Sequence, residues 1–169
     1  MTAIELIEPI EGRIRWMYLD SEGLVTAGVG ECLETADEAC VFFGRNVTAD
    51  YDHVAAMPKG MVASRYWYAG CPTLTDAQID ARRDRSIANA EGDARKLVPS
   101  FPTLTATRQA VLIDMAFNLG HKRLAGFTKT LALLAAGNFA AAANEMLDSA
   151  WAKEVPKRAK RDSDLMRAG

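Results

Sequence analysis

The sequence predicts a mainly α-helical (α+β) chain of two lobes, with a small N-terminal β-hairpin and a C-terminal helical lobe. Three observations carry that reading. Capping pairs followed by helical apolar periodicity recur from Thr35 to the end. Strand alternation coincides with turn residues only between Arg15 and Gly30. The segment from Thr75 to Leu97 reads as one long helix able to link two lobes.

At 169 residues the chain has the size of one domain with a real core. The expected organisation is a small lobe at about 12–74, a linking helix at about 75–97, and a helical lobe at about 98–169 that also takes the N-terminal helix. Thr2 and Glu5 have capping-box spacing, and Leu6 and Ile7 give a first helix its apolar side. Pro9 disturbs it, and it should end around Glu11 and Gly12. Two strands follow, Arg15–Leu19 and Leu24–Gly30, joined through the turn-rich Asp20-Ser21-Glu22-Gly23.

Thr35 and Glu38 cap the next helix, which Gly44 should stop, and a second short helix follows Thr48 and ends before Pro58. Lys59 to Pro72, with Tyr66-Trp67-Tyr68, reads as irregular or partly extended, its aromatics a buried patch more readily than an interface. Thr75 and Gln78 cap the long helix, with Ile79, Ile87, Ala90, Ala94 and Leu97 as its apolar positions. Beyond it the pattern gives helices from Thr105 to Leu119, Thr128 to Ala136 and Asn138 to Asp148, and one opened by Pro156.

Charge and cysteine usage narrow the function classes. A net charge of -2 with 25% charged residues argues against broad electrostatic capture of nucleic acid. No stretch has transmembrane length, and MTAIELIEPIEGR lacks the basic start and apolar run of a secretory signal, so no membrane insertion is expected. The three cysteines, Cys32, Cys40 and Cys71, are odd in number, lack CxxC spacing and read as reduced, partly buried thiols. His53 and His121 are the histidines; with no HExxH or Cys/His cluster, the chain offers no ligand set for a metal.

The chemistry concentrates in the first thirty residues, where a helix end, a turn and a strand supply Glu11, Asp20 and Thr26. Cleaving a glycosidic bond needs one carboxylic acid to protonate the departing oxygen. It needs a second carboxylate to activate water or to stabilise the charge developing on the sugar. Spacing alone does not distinguish this pair from a surface Glu and a turn Asp, nor Thr26 from a β-branched strand residue.

Context adds to spacing. Glu11-Gly12, Asp20-Ser21-Glu22-Gly23 and Thr26-Ala27-Gly28-Val29-Gly30 together resemble the active-site hairpin of the phage-type lysozymes, glycoside hydrolase family 24. Ala116-Phe117-Asn118-Leu119-Gly120, Leu124-Ala125-Gly126-Phe127-Thr128, and Trp151 followed by Val155-Pro156-Lys157-Arg158-Ala159-Lys160-Arg161 resemble the C-terminal lobe of the same family, in the same order. The likeness covers roughly residues 9–33 and 104–161; the segment from Cys32 to Gly70 does not match well.

The resemblance implies a lysozyme-like fold with its cleft between the lobes, and hydrolysis of the β-1,4 bond between N-acetylmuramic acid and N-acetylglucosamine, with inversion and without a cofactor. It assigns Glu11 as general acid, Asp20 as second carboxylate and Thr26 as the hydroxyl that positions water. Glu22, Phe117, Asn118 and Thr130 match glycan-contacting positions, and Arg158 a position whose guanidinium supports the catalytic Glu. Each also has a plain structural account: Phe117 as core, Asn118 and Thr130 as helix-surface polar groups, Glu22 as a turn acid, and Lys157 to Arg161 as a solvated helix face. Trp151 reads as a core aromatic. Glu31 stands where familiar members often carry His, and Cys32 replaces an apolar cleft residue.

The expected partner is the peptidoglycan strand, bound by a monomer made in a bacterial host cytoplasm and acting at the periplasm or cell wall. Holin-dependent release, a phage tail or a secretion apparatus would deliver it. A tail-associated or effector lysozyme held by a partner protein, and a non-catalytic wall-binding module, are the alternatives. Retention of Asp20 and Thr26 favours hydrolysis over transglycosylation.

Overall fold

The computed structural model describes residues 1–169 and is dominated by nine α-helices, with one three-stranded antiparallel sheet near the N-terminus. The chain divides into two compact units, residues 8–84 and residues 1–7 with 85–169.

Residues 8–84 hold the sheet. Helix α1, Ala3–Glu11, runs through Pro9 into this unit and stops at Gly12, whose φ of 76° lies in the left-handed region that glycine adopts without penalty. Its opening has both bonds of the expected box, Thr2 N to Glu5 Oε2 at 2.6 Å and Glu5 N to Thr2 Oγ1 at 3.3 Å. Strand β1, Ile14–Leu19, pairs with β2, Val25–Gly28, through Tyr18 opposite Thr26 and Leu19 opposite Val25. A third strand, β3, Glu31–Cys32, extends the sheet by placing Cys32 opposite Thr26, an element too short for periodicity to announce.

Alternation along β1 buries Met17 and Leu19 and leaves Trp16 and Tyr18 half-buried on the other face. Helices α2, Ala36–Phe43, and α3, Thr48–Ala55, pack on each other, and α3 also meets the sheet. The α2 cap is as expected, with Thr35 Oγ1 accepting from Glu38 N at 3.2 Å and Gly44 in the left-handed C-cap conformation. The segment anticipated as irregular contains one 3₁₀ turn, Ala63–Tyr66. Its aromatics split: Tyr66 is fully buried and donates to the Pro58 carbonyl, whereas Trp67 is 54% exposed.

Helix α4, Asp76–Leu97, begins at the expected Thr75–Gln78 box, with Thr75 N donating to Gln78 Oε1 at 2.9 Å and Gln78 N to Thr75 Oγ1 at 3.2 Å. Arg13 reaches its first turns, donating to Asp80 at 2.9 Å and Asp76 at 3.2 Å, and also bonds Glu8 at 3.1 Å. These ion pairs tie the loop after α1 to α4.

The other unit is built around α5, Ala106–Ala125, in which Val111, Leu112, Ile113, Met115, Leu119 and Leu124 are buried. Each such apolar side chain taken from water contributes about 1.5–3 kcal/mol. The stop expected at Gly120 appears as a break, φ 70° and ψ 166°, after which helix resumes to Ala125. Helices α6, Thr128–Ala135, and α7, Phe139–Leu147, follow, and α9, Pro156–Ala168, packs along α7 with Pro156 in its first turn. Between them the sequence reading missed α8, Ala150–Glu154, a five-residue helix capped by Ser149 Oγ accepting from Ala152 N at 3.1 Å.

No helix is long and apolar enough to cross a membrane. All three cysteines are free; Cys40 and Cys71 are half-buried, whereas Cys32 is exposed as a residue and only its thiol is partly buried.

Candidate active site

Glu11, Asp20 and Thr26 lie in the same unit, residues 8–84, and the sheet register explains how they gather. Residues directly opposite in antiparallel strands project from the same face. Tyr18, Thr26 and Cys32 therefore form one row across β1, β2 and β3. Asp20 follows β1 directly, and its charge acts on both Tyr18 and Cys32 of that row.

The Asp20 turn is held by its own side chain. Oδ1 accepts from the backbone N–H groups of Glu22 and Leu24, both at 2.9 Å, while Gly23 N donates to the Asp20 carbonyl at 3.1 Å. This is an Asx-type turn that uses one carboxylate oxygen. Thr26 is 2% exposed, and its hydroxyl donates to the Leu24 carbonyl at 3.1 Å, so its lone pairs remain able to accept.

Glu11 is the last residue of α1, half-buried, with its carboxylate laid against Gly30. A Cβ at Gly30 would stand 2.7 Å from Glu11 Oε2 and 3.3 Å from Glu11 Cβ, and Gly30 has a φ of 73°. The glycine is thus required twice, for its backbone conformation and for the room it leaves the acid.

The groups converge on Tyr18. Burial, then the negative charges of Glu11 and Asp20, push its phenol up to about 12. Partial burial, with Asp20 as the largest charge contribution, likewise raises the Cys32 thiol. Burial is the larger cause of both shifts, and the carboxylate charges add to it. Tyr18 was not singled out from the sequence, although its place two residues before Asp20 in an alternating strand was a readable signal.

The remaining candidates divide between the two units. Glu22 is exposed in the turn, and its carbonyl accepts from Lys59 at 3.3 Å. In the helical unit, Phe117 and Asn118 are half-buried on α5. Asn118 Oδ1 accepts from the indole N–H of Trp151 at 2.7 Å, and Trp151 is a core aromatic, 1% exposed. Thr130 is buried and lines a concavity of about 740 Å³ with Phe127, Trp151, Lys129 and Glu145.

Arg158 is buried in α9, with Nε and Nη2 donating to the two oxygens of Asp114 at 2.8 Å each. The surface account of the basic run therefore holds for Lys157 and Lys160, which are exposed, and fails for Arg158. Asp114 was invisible as a partner because 44 residues separate the two. No group of three or more His, Cys, Asp or Glu side chains is arranged to hold a metal ion.

With this geometry in hand, the chain was compared with known proteins. The family model "Phage lysozyme" matches residues 8–162. Two relatives from Dictyostelium discoideum, "Probable T4-type lysozyme 2" and "Probable T4-type lysozyme 1", are 23% and 25% identical; each alignment covers 98% of this chain and 93% of the relative. The "Pre-baseplate central spike protein Gp5" of Enterobacteria phage T4 is 24% identical over 100% of this chain, which corresponds to 28% of that protein.

Proposed function

Since the chain belongs to the phage lysozyme family, we propose that it is a muramidase that hydrolyses the β-1,4 bond between N-acetylmuramic acid and N-acetylglucosamine in peptidoglycan. The observation that carries this reading is that half-buried Tyr18, directly across the sheet from Thr26, feels the negative charges of both Glu11 and Asp20.

In the proposed mechanism Glu11 is the general acid. It protonates the glycosidic oxygen as the C1–O bond breaks, leaving positive charge on the sugar ring. Asp20 is the general base, accepting one proton from a water. Thr26 is suited to hold that water by accepting its other hydrogen, because its own hydroxyl proton is committed to the Leu24 carbonyl. With both hydrogens directed at oxygen acceptors, a lone pair of the water is free to attack C1, and the anomeric configuration inverts. Glu22, and in the helical unit Phe117, Asn118 and Thr130, are assigned to glycan contact, and Arg158 to support.

The test is Glu11→Gln, assayed by turbidity loss of a peptidoglycan suspension alongside thermal unfolding. Loss of a positioned general acid lowers the rate by about 10²–10⁴-fold, with the melting temperature nearly unchanged. Near-normal lysis by a folded Glu11→Gln protein rejects the assignment. Mass spectrometry of the released fragments, showing reducing ends instead of anhydro-sugars, separates hydrolysis from transglycosylation.

A second reading of the biology, delivery on a phage tail, is favoured by the alignment of the whole chain to part of a spike protein. Co-purification with tail particles, against release as free protein at lysis, distinguishes the two.

A further inference from the structure

The helical unit contains two buried carboxylates close together, which the proposed mechanism does not use. Asp114 on α5 and Asp162 on α9 are both fully buried. Asp114 is well supplied: Oδ1 accepts from Arg158 Nη2, and Oδ2 from Arg158 Nε and Arg161 Nη2, all at 2.8 Å. Asp162 is supplied on one oxygen only, Oδ1, by Arg161, whose Nε donates at 2.8 Å and whose Nη2 lies at 2.6 Å. Its Oδ2 is sealed from solvent and receives no N–H.

A buried carboxylate oxygen without a donor is costly, and two adjacent ionised carboxylates repel. Arg161 Nη2 lies 2.8 Å from Asp114 Oδ2 and 2.6 Å from Asp162 Oδ1, which brings the two carboxylates within hydrogen-bonding reach of each other. Two acceptor groups can make such a bond only if one carries a proton. The guanidinium donors are concentrated on Asp114, so the proton belongs on Asp162.

We infer that Asp162 is kept as a neutral carboxylic acid whose proton is donated to Asp114, and that this proton is a latch fixing Arg158 and Arg161 in place. The groups facing it are consistent with that role. Asp114 comes from α5, and Arg161 and, through Asp114, Arg158 come from α9. The start of α1 contributes the Leu6 carbonyl, which Arg161 Nη1 takes at 2.7 Å. Helix α7, which packs along α9, carries buried Ala142, Ala143 and Met146, and its Ala143 carbonyl accepts from Ser163, the neighbour of Asp162 in sequence.

When the proton leaves for solvent, Asp162 competes with Asp114 for Arg161, and the arrangement around Arg158 loosens. The electrostatics run the same way. Burial, then the hydrogen bond and charge of Asp114, push Asp162 up to about 8. Burial would also raise Asp114, but the Arg158 hydrogen bond foremost among its partners holds it below the usual carboxylate range.

The two carboxylates contribute to stability with opposite signs. The folded chain holds the Asp162 proton more tightly than the unfolded chain, so that contribution is complete below about pH 4 and is lost as pH rises to about 8. Asp114 has a lowered value, so its contribution is present above the ordinary carboxylate range and lost only in stronger acid. Between about pH 4 and 8, Asp162 alone of this pair weakens the fold.

The experiment is a ¹³C NMR titration of the aspartate carboxyl carbons of the full chain. It is combined with melting temperatures of the wild type and Asp162→Asn between pH 4 and 9. Asparagine keeps a neutral donor at every pH. One carboxyl is expected to titrate near pH 8 and to be absent from Asp162→Asn. The melting-temperature difference, variant minus wild type, should grow by several degrees up to about pH 8 and then level off.

Titration of every aspartate below pH 6, or a difference constant with pH, overturns the inference. If Asp162→Asn does not fold, the wild-type titration decides alone. The link to activity rests on the muramidase reading: the ratio of variant to wild-type wall hydrolysis should rise above pH 8. Failure of that reading appears as no hydrolysis by either protein, with the NMR result unaffected.

Discussion

Thr26 on β2 and Cys32 on β3 stand directly opposite each other, so an exposed thiol lies beside the hydroxyl proposed to hold the attacking water. Partial burial of that thiol and the nearby Asp20, Glu34 and Glu38 charges raise it above the ordinary cysteine value. In a Cys40→Ser, Cys71→Ser background, alkylation by iodoacetamide should be slow at neutral pH and accelerate as the solution becomes alkaline, because the thiolate is the nucleophile. The adduct should abolish wall lysis, while Cys32→Ser stays active and resistant. Intact-mass spectrometry paired with turbidity reads both, and a fully alkylated but active protein contradicts the placement.

Gly30→Ala should damage stability and activity together. Its positive φ costs a side-chain-bearing residue about 1–2 kcal/mol, a fall of about 2–8 °C in melting temperature for a chain of this size. The new methyl would also meet Glu11 Oε2 at 2.7 Å and displace the acid. Lysis should therefore fall by more than the lost folded fraction explains. An active Gly30→Ala protein would show that the Glu11 carboxylate is not required where it lies.

Tyr18 reports on the two carboxylates. Its ¹³Cζ resonance should titrate at about pH 12 in the wild type. Because negative neighbours oppose a phenolate, Glu11→Gln and Asp20→Asn should each lower that midpoint, although burial, the larger cause, keeps it above 10. A midpoint indifferent to both substitutions would separate the carboxylates from the tyrosine, and with them the proposed site.

What was readable in the sequence was what a few neighbouring residues decide. Thr2 with Glu5, Thr35 with Glu38 and Thr75 with Gln78 each settle a helix start within three positions, and in all three the Thr hydroxyl accepts the expected N–H. Gly120 marked a break for the same local reason. Strand β3 escaped because two residues carry no period; it exists through pairing with β2. Helix α8 escaped because five residues capped by Ser149 are too few for an apolar stripe. At the candidate site, the place of Glu11, Asp20 and Thr26 at a helix end, a turn and a strand of one hairpin region was legible, whereas the cradle at Gly30 and the burial of Tyr18 depend on packing. The Asp114–Arg158 pair joins helices distant in sequence, and no local pattern could announce it.

On the proposed mechanism the Asp20 carboxylate has two employments on two different atoms: Oδ1 closes the hairpin turn on two backbone N–H groups, and the other oxygen takes the proton of the water. Fold and reactivity are therefore tied at a single position. Asparagine preserves the closure while silencing the proposed base, whereas a side chain without an acceptor there loses both turn bonds. On the proposed mechanism, that one narrow exchange separates a wall-cleaving chain from a wall-binding scaffold.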